Sequence, residues 1–295
     1  MGNQTGNILT IIVPIRNKVA DFNSMKTWLM EIEKEHLPIS VEVIHDGDDS
    51  TTWEKILDLS VRFNFKPQQA IVNSPGSARN LGLSRVKTPW LIFWDQDDLG
   101  FPAEVISSIK LALESSSAVV GRFKQVETVN KREKISANPN NCLSRLGITP
   151  GLWRFALKTD RVSNVLFSSE KMGEDQLFLA QINLSESEVE FSDKIFYSYN
   201  VGNSHQLTNT PKAKLELINV ILKIAPLLQR KETAKYTYII FWKLVISEWK
   251  QHKMSNLTFA ATCRLFLNLP LRAKCVSAKA LVYIFYRFSL VRQNV

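Results

Sequence analysis

At 295 residues the chain is long enough for one large domain with an appendage or for two modest domains, and 45% hydrophobic with 22% charged residues excludes a disordered or low-complexity protein. The net charge of +9 is concentrated: residues 230–295 hold 12 Lys and Arg against 2 Asp and Glu, whereas the remainder holds 25 against 26. Cys142, Cys263 and Cys275 stand in no CxxC or Cys/His spacing, which excludes a zinc or disulfide framework and predicts a reducing compartment.

Residues 8–13 form a continuous apolar strand closed by Pro14, with Arg16 at its carboxyl end. Helical spacing follows at Trp28, Leu29 and Ile32. Residues 41–44 read as a second strand running into the acidic turn HDGDD, and Ser50, Thr51 or Thr52 is the expected cap of the helix after it. A brief third strand spans 70–72. Then comes SPGSARN, residues 74–80, where Pro75 suits the first helical position with Ser74 as cap. The free amides there suit an anion, with Arg79 one turn in, although an ordinary capped helix has the same pattern.

Residues 89–98, PWLIFWDQDD, are a run of apolar residues that stops abruptly in three carboxylates. The absence of alternation from 90 to 94 predicts a strand buried on both faces. Asp95 and Asp97, two apart, project to one side if strand geometry persists, at the strand end where open α/β sheets collect ligands. Close carboxylates repel unless a cation lies between them, so the stretch reads either as a divalent-metal site or as an acidic turn with Asp98 capping the next helix.

A helix at 101–113 and a strand at 118–123 continue the alternation, which predicts a doubly wound, mainly parallel sheet with flanking helices. A polar stretch from 131 to 151 is long for a loop. Glu174 and Asp175 fall in the first turn of another helix, where the macrodipole favours acids. An aromatic strand at 189–199 leads into a loop with His205, and a boundary is expected near 209–211. The remainder has helical runs at 236–249, 257–269 and 276–290, crowded with aromatic residues among which Lys243, Lys250, Arg264, Arg272, Lys274, Lys279 and Arg287 are dispersed. Such faces suit either a helix lying in a lipid interface or a helical bundle packed on the main domain. No basic, apolar leader opens the sequence, and no stretch reaches about 18 uninterrupted apolar residues. A cytoplasmic chain, peripheral on the inner face of the plasma membrane through its basic end, is expected.

Six stretches, in this order, resemble the family 2 glycosyltransferases of the GT-A fold: IIVPIRN, VEVIHDGDDS, SPGSARNLGL, FWDQDDLGFP, GEDQLF and NVGNSHQLT. The resemblance covers roughly residues 9–208. It implies a Rossmann-like, nucleotide-sugar-binding catalytic domain over 1–210, followed by a basic helical region over 211–295 that lies outside the family pattern. By that resemblance Pro14, Arg16 and Asp46 contact the nucleoside, Arg79 approaches the nucleotide, and Asp95 lies on the ribose side. Asp97 of the DxD motif, with His205 as a further ligand, holds Mg²⁺ or Mn²⁺, the imidazole tilting the choice toward Mn²⁺. Asp175 is the general base of an inverting hexosyl or N-acetylhexosaminyl transfer, Glu174 supports it, and Trp153 either stacks on an acceptor sugar or packs in the core. The expected donor is a UDP-sugar and the expected acceptor a glycan or lipid-linked glycan, in cell-surface polysaccharide synthesis. Where the family commonly has two acids this chain has His45-Asp46, so nucleoside recognition is expected to differ. A nucleotidyltransferase or a non-catalytic membrane-binding module are the competing readings. A nucleic-acid partner is not expected, since no motif accompanies the basic residues.

Overall fold

A computed structural model describes residues 6–16, 18–19, 21–127, 132–136, 146–201, 216–252 and 256–293, with side chains left aside at 249–252, 256–261 and 285–293. The first half alternates as the pattern predicts: β1 (Leu9–Arg16), α1 (Asn23–Lys34), β2 (Ile39–Asp46), α2 (Ser50–Phe63), β3 (Gln68–Ala70), α3 (Pro75–Leu83) and β4 (Trp90–Phe93). There follow β5 (Leu99–Gly100), α4 (Pro102–Leu111), β6 (Ala118–Glu127), β7 (Glu133–Ile135), β8 (Phe155–Lys158), α5 (Glu174–Ile182) and β9 (Val189–Val201). The chain closes with α6 (Leu217–Ile224), α7 (Lys235–His252), α8 (Asn256–Asn268) and α9 (Leu271–Gln293).

Among the described residues the strands form one sheet in the order β3-β2-β1-β4-β8-β6-β9-β5, with β7 beside β6. From β3 to β4 every pairing is parallel. Beyond β4 the sheet is mixed, because β8 enters antiparallel between β4 and β6, and β5 pairs antiparallel with β9. The expected parallel sheet is therefore its first half, and the whole is a mixed α/β sheet.

The apolar runs lack alternation because both faces are covered. Along β4, Leu91 and Phe93 enter one core cluster while Trp90, Ile92 and Trp94 enter the other. The first cluster runs without a break from Ile12 and Phe93 through Phe178 and Leu179 to Ile239, Ile240, Ala273 and Ile284, so the C-terminal helices share a core with the sheet. Of the runs that suited a lipid face, α7 is core: Tyr236 to Trp242 and Leu244 to Ile246 are all buried. The boundary expected near 209–211 lies outside the described residues, as does Cys142; Cys263 and Cys275 are free thiols.

Register decides where the chemistry can sit. Leu9 pairs with both Ile39 and Trp90, and Arg16 with Asp46, so the carboxyl ends of β1, β2 and β4 share one edge.

Candidate active site

At that edge Pro14 is buried within β1 and Arg16 is exposed at its end. The Asp46 carboxylate accepts the backbone N–H groups of Val72 (2.8 Å) and Asn73 (2.9 Å) through Oδ1, tying the β3–α3 connection to β2. Oδ2 has no protein donor among the described residues. His45, beside it, is buried and stacked on Trp53 with ring centroids 5.9 Å apart. The cap of α2 is Asp49, which accepts the Thr52 N–H at 2.8 Å, rather than Ser50, Thr51 or Thr52. A carboxylate one residue earlier reaches the N3 amide as well as a hydroxyl does.

The helix α3 carries four adapted positions. Ser74 caps it by accepting the Ser77 N–H at 3.0 Å, with Pro75 in the first turn. A Cβ on Gly76 would lie 2.2 Å from the Ser168 carbonyl oxygen and 3.0 Å from the Phe167 Cβ, so only glycine lets the helix end press against that segment. Asn80 binds both backbone groups of Phe167, at 2.8 and 2.9 Å. The buried Arg79 guanidinium then donates to Glu174 Oε1 at 2.7 Å and to Asp95 Oδ1 at 3.1 Å, lying 5.7 Å from the Phe167 ring. Burial opposes its charge, but Asp95, Glu174 and Asp175 outweigh that and hold it firmly protonated.

The acidic turn after β4 is held from outside its own strand. Asp95 N–H donates to Tyr197 Oη (3.1 Å), and Tyr197 Oη–H donates to Asp98 Oδ2 (3.0 Å). Asn200 donates its backbone N–H to Asp98 Oδ1 (2.7 Å) and its side-chain amide to the Asp97 carbonyl (2.9 Å), which Ser24 Oγ also reaches at 3.3 Å. Asp98 therefore does not cap α4, whose first residue is preceded by Phe101 without a side-chain cap. It points inward, and burial with the Asp97 charge pushes its carboxyl up to about 8 against those two hydrogen bonds. Asp97 is exposed and Asp95 half-buried. Loss of water around the turn and the Asp95 charge hold the Asp97 carboxyl above its usual range.

Among the described residues no group of three acidic, His or Cys side chains could enclose a metal ion. Two neighbouring carboxylates, one engaged by Arg79, fit instead a hard cation shared with substrate phosphates, for which one or two protein carboxylates suffice. His205 lies outside the described residues.

The acid pair opens α5. Gly173 precedes it at φ +85°, and a Cβ there would stand 3.4 Å from Val220 of α6. Glu174 is buried and locked to Arg79, whereas half-buried Asp175 accepts only its neighbour's backbone N–H, from Gln176 at 2.8 Å. Burial raises both carboxyls; the Arg79 charge pulls both back, and Lys243 of α7 pulls on Asp175. Trp153, half-buried in the turn Leu152–Arg154, lies parallel to Tyr197 (4.8 Å) and Tyr199 (5.8 Å) and edge-on to Phe123 (4.8 Å), an aromatic wall behind the acidic turn. Of the residues anticipated from sequence, then, Arg79, Asp95, Glu174 and Asp175 share one cleft with Asp97 at its rim, and Pro14, Arg16 and Asp46 border it along the sheet edge. Tyr197, Asn200, Ser24 and Lys243 were not anticipated: nothing local in their surroundings marks them.

A family model described as "Glycosyl transferase family 2" matches residues 10–170. Among solved structures the chain is similar to TarS 1-349 of S. aureus, at 18% identity over 93% of this chain and 79% of that one, with a TM-score of 0.61. That protein has also been solved with UDP-GlcNAc. A second similar structure is the mannosyltransferase PcManGT from Pyrobaculum calidifontis in complex with GDP-Man and Mn²⁺, at 12% identity over 96% and 82% of the two chains, with a TM-score of 0.56. Curated proteins give no match by sequence.

Proposed function

Because the chain belongs to glycosyl transferase family 2 and has the GT-A fold, we propose that it catalyses an inverting, metal-dependent sugar transfer from a UDP-sugar. The acceptor is a hydroxyl of a glycan or lipid-linked glycan in cell-surface polysaccharide synthesis. The observation that carries this reading is the Arg79 bridge, which joins the acidic turn to the acid pair of α5 and so gives donor and acceptor chemistry one cleft.

In this reading Pro14, Arg16 and Asp46 receive the nucleoside, and the unoccupied Oδ2 of Asp46 accepts the uracil N3 proton. Asp95 faces the ribose. Asp97, with His205, would hold Mn²⁺ or Mg²⁺, which when bound neutralises charge on the departing diphosphate. Asp175 takes the proton of the acceptor hydroxyl as its oxygen bonds to the anomeric carbon, while the bond from that carbon to the diphosphate oxygen breaks and the electron pair leaves with UDP. A single displacement of this kind inverts the anomeric centre. Glu174 is ill suited to be the base, since Arg79 occupies it; it fixes the head of α5 instead. Trp153 offers its remaining exposed surface to an acceptor sugar.

Replacing Asp175 by Asn should lower turnover by about 10²- to 10⁴-fold while UDP-sugar binding persists, as measured by UDP release and by calorimetry. Full turnover in that variant would remove Asp175 as the base. Release of pyrophosphate in place of UDP would instead favour a nucleotidyltransferase.

A further inference from the structure

The start of α7 is moored to the far end of α5. Tyr236 Oη–H donates to the Leu179 carbonyl at 2.7 Å and accepts the Leu184 N–H at 2.9 Å. Asn183 accepts the Ala234 N–H at 2.8 Å and donates to the Glu232 carbonyl at 3.0 Å. From that mooring α7 runs back along α5 toward the acid pair. Lys243 stands seven residues beyond Tyr236, two helical turns on and on the same face, so it is carried about 10 Å toward Glu174 and Asp175. Between Tyr236 and Glu248 every side chain is buried except Lys243 and Ser247, four residues apart and half-buried, where α7 borders the cleft. A lysine there buries its stem and presents its ammonium to the opening.

Among the described residues Lys243 forms no ion pair. Arg79, the other cation near Asp175, already spends its two terminal nitrogens on Glu174 and Asp95. We propose that Lys243 is a positioning residue for Asp175: its ammonium, delivered from the C-terminal helices, keeps the Asp175 carboxylate charged and turned toward the acceptor hydroxyl. The proposal rests on the reading of Asp175 as the base. The groups that act on Asp175 are Arg79 of α3, Asp95 of the acidic turn, adjacent Glu174, Tyr199 of β9 and Lys243 of α7. Arg79 and Lys243 favour its anion, and Asp95 and Glu174 oppose it. Burial lowers the proton affinity of Lys243 and the Asp175 charge restores part of it, as expected of two groups sharing one poorly solvated space. The basic C-terminal region thereby belongs to the catalytic centre.

The test compares full-length wild type, Lys243→Met and Lys243→Arg in the pH profile of kcat/KM for acceptor, with UDP-sugar affinity and thermal melting measured alongside. In Lys243→Met the acid limb should move to higher pH by about one unit and turnover at neutral pH should fall about tenfold, since an opposite charge nearby is what favours the anion. Donor affinity should hold, and Lys243→Arg should restore most of the profile. An unmoved acid limb in a folded Lys243→Met protein overturns the proposal, as does a higher acceptor KM with an unchanged limb, which would make Lys243 an acceptor contact. If Met is not tolerated, Lys243→Gln keeps a polar head at the cleft and is read by the same criteria. An active Asp175→Asn enzyme would remove the base itself, whereas an inactive one with an unmoved Lys243→Met profile would remove only the lysine's role.

Discussion

The Arg79 guanidinium lies between two carboxylates from elements 16 and 95 residues away in sequence, one buried and one half-buried. Removing a buried cation from such a pair leaves uncompensated charge and typically costs about 3–5 kcal/mol, with the lower end apt here because Asp95 reaches water. Arg79→Met should therefore lower the melting temperature and abolish transfer, read by calorimetry and UDP release. Arg79→Lys should recover part of the stability and little of the activity, because a point charge cannot span both acids as the planar fork does. Sequence pointed to Asp95, Asp97, Glu174 and Asp175 through local pattern: acids ending an apolar run and acids opening a helix. Tyr197 and Asn200, which hold the acidic turn through contacts about a hundred residues apart, had no such pattern.

Among the elements, α3 is where short sequence and site geometry agree most closely. Ser74 caps it, Gly76 admits the neighbouring backbone, Arg79 bridges the acids and Asn80 clasps Phe167, all within seven residues. The cap and the first-turn proline are legible because they answer to the helix's own amides. The glycine and asparagine are not, since each answers to a segment near residue 167. Gly76→Ala should cost about 1–3 kcal/mol through overpacking and should reduce transfer by drawing Arg79 away from Glu174. Thermal melting with parallel turnover measurements would reveal this, and an unchanged variant would mean that the helix end can yield without moving the bridge.

For the whole molecule, the sheet's first half and the C-terminal helices are one packed body, and charge sits on the outside of the latter. Exposed Arg264, Arg272 and Lys279 alternate with exposed Leu267, Leu271 and Val282 on α8 and α9, and no Asp or Glu follows Glu248. No helix among the described residues is long and apolar enough to cross a membrane. Peripheral binding to anionic lipid, part of the proposed function, should appear as co-sedimentation with phosphatidylserine-containing vesicles that weakens with salt, as screened charge attraction must. Equal recovery with neutral vesicles, or preference for nucleic acid, would refute it. Composition and periodicity by themselves determined the alternating first half, the doubly covered strands, the helical end and the acids at strand and helix termini, because each follows from the apolar spacing of a few consecutive residues. Only the tertiary structure decided that β8 enters antiparallel, that Asp98 faces inward, that α7 is core and that Lys243 reaches the cleft of Asp175. Those outcomes depend on which distant surface each element meets, and burial, register and charge pairing across such distances leave no local periodic trace.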